Sequence, residues 1–227
     1  MKYPFLFFDA DNTIFDFDQA EAMALERALL RHGIEFQAGW LELYRKINVA
    51  IWKAYESGEL KTDEVKRKRF SELVEQLKLS IDSEQLSQEY LDELSRCAPL
   101  LDSAESVLDQ LHRRGHRMLI LTNGLAEVQH GRFDDSPVRK FFEALVISGE
   151  VGAAKPDGKI FSFAWEVFGC PPKEQVLMIG DNLASDIQGG HQFQIATCWM
   201  NLRDENIPAS VEPTHAIKNL GELLHLV

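Results

Sequence analysis

Four short runs of the chain are apolar without interruption: Phe5–Phe8, Met118–Leu121, Ala144–Ile147 and Val176–Ile179. None alternates with polar residues, which is the pattern of strands buried on both faces of a parallel sheet. A weaker run from Ile195 to Met200 is read as an edge strand, and Thr214 to Ile217 as a sixth. Amphipathic helices separate these runs. Asp102 with Glu105 has the spacing of a capping box before a helix through Arg114, closed by Gly115. Asp157 is placed to cap a helix with Ile160, Phe161, Ala164, Val167 and Phe168 on one face and Gly169 as its stop. Strand and helix in alternation predict an α/β fold with a doubly wound, Rossmann-like parallel sheet at its core.

One interval breaks the alternation. From about Phe15 to Cys97 only helical periodicity is found. Asp18 with Glu21 has the look of a cap for a helix bearing Ala22, Leu25 and Leu29, which stops at Gly33; further helical stretches follow around 40–55, 63–77 and 83–94. The division is therefore an α/β core from residues 1–14 and 98–227, with a helical-bundle cap, 15–97, inserted after the first strand. An insertion at the carboxyl end of a strand overhangs the crevice where open α/β sheets take ligands, so a lid is expected.

Composition narrows the function classes. A chain of 227 residues with a formal net charge of −12 lacks the basic footprint that a nucleic-acid polymer needs. No apolar run approaches the ~20 residues that span a bilayer, and the run at Pro4–Phe8 is too short for a secretory leader. Three widely spaced cysteines, Cys97, Cys170 and Cys198, are expected to be buried thiols in a reducing compartment, so the chain is read as cytoplasmic.

The candidate chemistry lies just past the strands. The first run ends in Asp9 and Asp11, the second in Thr122-Asn123-Gly124, and the fourth in Gly180-Asp181 with Asp186 five residues on; Lys155-Pro156 follows the third. In a parallel sheet all of these ends lie on one edge, so residues far apart in sequence converge. Two aspartates two apart on an extended chain point the same way, and unit charges ~4 Å apart repel by roughly 4 kcal/mol at an effective dielectric near 20. Crowded carboxylates call for a hard divalent cation with oxygen ligands, Mg²⁺ or alternatively Mn²⁺. One N-terminal aspartate could then attack phosphorus while its neighbour handles the leaving group's proton, with Thr122, backbone N–H groups and Lys155 stabilising the transferring oxygens.

Asp9-Ala-Asp11-Asn-Thr13, Leu121-Thr122-Asn123-Gly124, Lys155-Pro156 and Gly180-Asp181-Asn-Leu-Ala-Ser-Asp186 resemble, in chain order, the four motifs of the haloacid dehalogenase-like hydrolase superfamily, and the helical block resembles its C1 cap. Val146 to Pro156, Val176 to Asp181 and Ala196 to Asn201, with Gln129 and Arg132, are similar to its bacterial pyrimidine 5′-nucleotidases; Phe133 to Val138 departs from that pattern. The resemblance implies a phosphomonoesterase acting on nucleoside 5′-monophosphates through an aspartyl-phosphate. Asp9 would be the nucleophile and Asp11 the acid and base. The metal would be held by Asp9, Asp181 and the backbone carbonyl of Asp11, and the phosphate by Thr122, Asn123 and Lys155. Asp186 would orient Lys155 or metal-bound water. The alternatives are a phosphatase of another small phosphorylated metabolite, such as a sugar phosphate or phosphoglycolate, and a non-catalytic binding module. Neither the oligomeric state nor the residues that select the leaving group can be read.

Other signals are set aside. Gly149 to Lys155 lacks P-loop spacing and a following Ser or Thr. His112 and His116 are parted by Gly115 near a helix end, so no metal site is expected there. Lys66-Arg67-Lys68-Arg69 is taken as a solvated face, and Trp40, Tyr44, Trp52 and Tyr55 chiefly as packing within the cap.

Overall fold

In the computed structural model, which describes residues 1–206 and 211–227, six parallel strands form one sheet in the order β3-β2-β1-β4-β5-β6. They are β1 (Phe5–Phe8), β2 (Arg117–Thr122), β3 (Ala144–Ile147), β4 (Val176–Gly180), β5 (Ala196–Met200) and β6 (His215–Ile217). The chain runs outward from β1 to β3 and then restarts beside β1 with β4, so strand order reverses between β1 and β4. Such a switch point opens a crevice at the carboxyl ends of the strands. The expected edge strand, β5, lies inside the sheet between β4 and β6, and the three-residue β6 takes the edge.

The central strands are covered on both faces, which explains their unbroken apolarity. Phe7, Leu119, Leu121, Val176 and Met178 point to one side, where they pack with Ile160, Phe161, Ala164 and Phe168 of the helical segment after β3. Leu6, Phe8, Met118, Ile120, Leu177 and Ile179 alternate with them and are equally buried, with Phe8 edge-on to Phe142. Each such side chain contributes roughly 1.5–3 kcal/mol by leaving water.

The chain divides into two compact units. The α/β unit comprises 1–17, 99–126 and 133–227; the helical unit comprises 18–98 together with 127–132, a short segment that chain order would leave in the other unit. The helices are α1 (Phe17–Arg31), α2 (Trp40–Glu56), α3 (Thr62–Leu77), α4 (Ser83–Ser95), α5 (Ala104–Arg113), α6 (Ala126–Asp134), α7 (Ser148–Val151), α8 (Gly158–Val167) and α9 (Gln188–Gln192). Asp157 caps α8, accepting from the Lys159 N–H at 2.9 Å. Gly115 and Gly169 follow α5 and α8 with φ of +87° and +78°, a turn that a side chain would strain.

The capping box expected at Asp102 does not form. Residues 99–101 are pinned to the segment after β1, with Asp16 N–H on the Pro99 carbonyl at 2.8 Å and Leu101 N–H on the Ile14 carbonyl at 2.9 Å. The chain then enters α5 through Ser103 at φ +65° with no side-chain cap.

Within the helical unit, Tyr44, Phe70 and Tyr90 form a ring cluster with centroids 5.0–5.4 Å apart. Trp40, Trp52 and Tyr55 are only half-buried. Glu21 is no cap: it is buried, accepting from Arg45 Nε at 2.8 Å and Asn48 Nδ2 at 3.0 Å. Arg69, expected in solvent, is buried against the rings of Phe70 and Tyr90, and its Nη1 donates to Asn48 Oδ1 at 3.4 Å. All three cysteines are free; Cys97 and Cys198 are buried as expected, but Cys170 is exposed. Among the described residues no helix is long and apolar enough to cross a membrane.

Candidate active site

The loops at the carboxyl edge of the sheet carry the residues singled out in the sequence. Asp9 follows β1 and extends the ladder, its N–H donating to the Ile179 carbonyl at 2.8 Å. The chain then turns tightly, with the N–H groups of Ile14 and Phe15 both on the Ala10 carbonyl at 3.0 Å. Asn12 takes φ +53°, and its Oδ1 accepts from the Phe17 N–H at 3.1 Å. Asp11 sits in this turn, partly exposed.

One carboxylate oxygen each from Asp9, Asp181 and Asp186 lies within 4.8 Å of the other two. Lys155 Nζ is 2.5 Å from Asp9 Oδ1 and 2.6 Å from Asp186 Oδ1, and its side chain is 1% exposed. Each of these ion pairs attracts by about 6–7 kcal/mol at an effective dielectric near 20, while each carboxylate pair repels by at least about 3.5 kcal/mol. One ammonium therefore offsets the mutual repulsion of three acids and little more. Fully ionised, the quartet keeps a net charge of −2.

The titration behaviour follows. Burial raises the Asp9 carboxyl to about 7, with Asp186 and Asp11 adding to the rise and Lys155 opposing it. Asp181 is held well above the usual carboxylate range by desolvation and by the charges of Asp9 and Asp186. Burial works against the Lys155 ammonium, yet Asp186 and Asp9 hold it above an ordinary lysine. Three oxygen donors crowded beside one amine fit a hard divalent cation, which would bring the charge to zero.

The turn after β4 is built for this approach. A Cβ on Gly180 would stand 2.1 Å from Asp186 Oδ2, so only glycine lets that carboxylate lie against the backbone. Asp186 is held in a π-helical turn, Leu183–Ile187, with its Oδ2 accepting from the Asn182 N–H at 3.0 Å. Asn182 Oδ1 in turn accepts from the N–H groups of Ala184 and Ser185 at 2.9 and 3.1 Å.

Thr122 ends β2 almost wholly buried, and its Oγ1 accepts from the Gly124 N–H at 3.1 Å. Asn123, expected on a phosphate, grips the Lys155 backbone with its side-chain amide. Its Nδ2 donates to the Lys155 carbonyl at 2.9 Å, and its Oδ1 accepts from the Lys155 N–H at 2.8 Å. This bidentate grip fixes the backbone that aims the Lys155 amine. Two further contributors escaped the sequence reading. Ser148 Oγ donates to the Asn123 carbonyl at 3.2 Å, and Trp199 Nε1 donates to the Asp181 carbonyl at 2.8 Å. Both act on main-chain atoms, which leave no signature in residue type. His116, set aside as a metal ligand, is buried with Nδ1 2.9 Å from the Tyr3 carbonyl.

A family profile described as haloacid dehalogenase-like hydrolase matches residues 4–194. Over 227 residues, 100% of this chain and 99% of that one, the sequence is 34% identical to the pyrimidine 5′-nucleotidase YjjG of Escherichia coli. It is 33% identical over 224 residues to the pyrimidine 5′-nucleotidase PynA of Streptococcus pneumoniae, covering 99% and 94% of the two chains. The fold matches YfnB of Bacillus subtilis, whose crystal structure was solved bound to magnesium and reveals interdomain movement, with TM-score 0.92 and 34% identity over 100% and 99% of the chains. An L-2-haloacid dehalogenase from Xanthobacter autotrophicus shares the fold at TM-score 0.80 but only 20% identity, with coverage of 99% and 98%.

Proposed function

The chain belongs to the haloacid dehalogenase-like hydrolase family, as a phosphoric monoester hydrolase, and from that premise we propose that it dephosphorylates nucleoside 5′-monophosphates, chiefly pyrimidine ones, through an aspartyl-phosphate. The observation that carries the chemistry is the quartet of Asp9, Asp181, Asp186 and Lys155 gathered at the switch point of the sheet. The choice of pyrimidine nucleotides rests on the similarity to YjjG and PynA.

In this reading Asp9 attacks phosphorus, forming its acyl-phosphate as the bond to the leaving oxygen breaks. Asp11 gives that oxygen its proton and then takes one from the water that attacks the same phosphorus, releasing phosphate and restoring Asp9. An acid at position 11 suits a phosphatase rather than a dehalogenase. Lys155, aimed by Asn123 and Asp186, places its ammonium against the transferring oxygens, and the Thr122 hydroxyl and neighbouring N–H groups add donors. Mg²⁺, or Mn²⁺ in its place, would be held by Asp9, Asp181 and the main-chain carbonyl of Asp11, and would supply charge neutralisation for phosphate and carboxylates alike. We assign the helical unit the selection of the leaving group. A cytoplasmic setting belongs to the same proposal and is supported by three cysteines that are all free thiols.

The test is phosphate release across nucleoside 5′-monophosphates, sugar phosphates and phosphoglycolate, with and without EDTA. Highest kcat/KM on pyrimidine nucleotides is expected, with activity abolished by EDTA and restored by Mg²⁺. Turnover confined to non-nucleotide esters would end the nucleotidase claim, and turnover indifferent to EDTA the metal assignment.

A further inference from the structure

We propose that Trp199 is a positioning residue for the cation site, holding the Asp181 carbonyl so that the Asp181 carboxylate stays turned toward Asp9 and Asp186. The inference rests on reading these acids as cation ligands. Among the three, Asp9 is tied to Lys155, and Asp186 to both Lys155 and the Asn182 N–H. Among the described residues nothing hydrogen-bonds the Asp181 carboxylate, so its direction is set by its backbone alone.

The backbone restraint comes from β5. Trp199 lies in register with Gly180, the last residue of β4, and is 3% exposed. From there its indole N–H reaches one residue past the strand end to the Asp181 carbonyl at 2.8 Å. A buried indole N–H needs an acceptor, and this one is satisfied by the peptide unit that sets where the Asp181 side chain points. The platform is stiff, because β5 is hydrogen-bonded to β4 on one side and β6 on the other. The next peptide is fixed as well, through the Asn182 N–H on Asp186. Trp199 thus preorganises a ligand it never touches at the side chain, as outer groups do around bound metals.

The test replaces the donor while keeping the ring. Trp199→Phe retains a buried aromatic, and β-(3-benzothienyl)alanine incorporated at position 199 retains the full bicycle with sulfur in place of N–H. Mg²⁺ affinity is read on the full chain by calorimetric titration, alongside Tm and the split of kcat from KM at saturating Mg²⁺. We expect the dissociation constant for Mg²⁺ to rise about tenfold in both variants, with kcat and nucleotide KM at saturating Mg²⁺ changed by less than about threefold. The isostere should melt within about 2 °C of the parent chain. An isostere that binds Mg²⁺ as tightly as the parent overturns the proposal, even if the Phe variant binds weakly or fails to fold, because the ring and not the N–H would then be what matters. A parent chain that binds no Mg²⁺ overturns the cation reading and this proposal together.

Discussion

Replacing Gly180 by alanine adds one methyl group and should be among the most damaging small changes to this protein. The new Cβ would lie 2.1 Å from Asp186 Oδ2, 2.4 Å from its Cγ and 2.7 Å from its Cβ. Ordinary contact starts near 3.4 Å, so the carboxylate must retreat by about 1.3 Å. It has nowhere to retreat without cost, since Oδ1 is 2.6 Å from Lys155 Nζ and Oδ2 accepts from the Asn182 N–H at 3.0 Å. A shift of that size takes both beyond hydrogen-bonding range. Uncoupling one partner of a buried ion pair costs about 3–5 kcal/mol. In a chain of this size each kcal/mol lowers Tm by about 2–4 °C, so a drop of roughly 6–20 °C is expected. Lys155 loses one of its two anchors, and misplacement of a charged group by about 1 Å lowers kcat by about 10²-fold. Thermal melting and phosphate release measure both effects. Gly158→Ala is the control, since a Cβ there meets nothing within 4 Å; it should leave Tm and kcat nearly unchanged. If Gly180→Ala matched that control, the close packing of Asp186 on the β4 turn would not be what holds Lys155.

Two more outcomes follow. Asp9→Asn should lower turnover by at least about 10³-fold while the chain stays folded, because losing an attraction to Lys155 of about 6–7 kcal/mol is roughly balanced by losing two carboxylate repulsions of at least about 3.5 kcal/mol each; Mg²⁺-dependent turnover surviving in a folded Asn variant would rule out Asp9 as nucleophile. His116 and His215 are both depressed below ordinary histidine, chiefly by desolvation, and neither folded imidazole takes a proton as readily as in the unfolded chain. Their contribution to stability is therefore whole above about pH 6.5 and is lost as pH falls through the lower folded values, at up to about 1.4 kcal/mol per pH unit for each. Urea melts at pH 7.5 and 5.5 should show a smaller acid loss in the double variant His116→Gln, His215→Gln than in the parent chain; equal losses would remove these histidines as the cause.

How far the chain could be read without coordinates depended on whether a residue's partner was another side chain's chemistry or a stretch of backbone. The inner strands were legible because burial on both faces leaves no polar residue in Leu6–Phe8 or Val176–Ile179 to mistake. β5 was misplaced to the edge because Ala196 and Thr197 dilute its pattern, while its true edge neighbour, β6, has only three residues. The acids and the lysine could be gathered in advance, because a parallel sheet brings every strand's carboxyl end to one side whatever the intervening helices do. Arg69 could not be foreseen in the interior, since three of its four consecutive basic residues do stay near solvent and only the helix's rotation buries the fourth. Asn123 and Trp199 were opaque for a further reason: each spends its polar group on a main-chain carbonyl or N–H, and any residue at 155 or 181 would offer the same atoms. The charged groups of this site are thus visible in composition and order, whereas the restraints that aim them are visible only once the loops lie side by side. That difference bears on redesign. Changing an acid or the lysine alters the chemistry at once, but a chain keeping all five ionisable groups and losing the Asn123 or Trp199 hydrogen bonds should hold the same charges at the wrong angles.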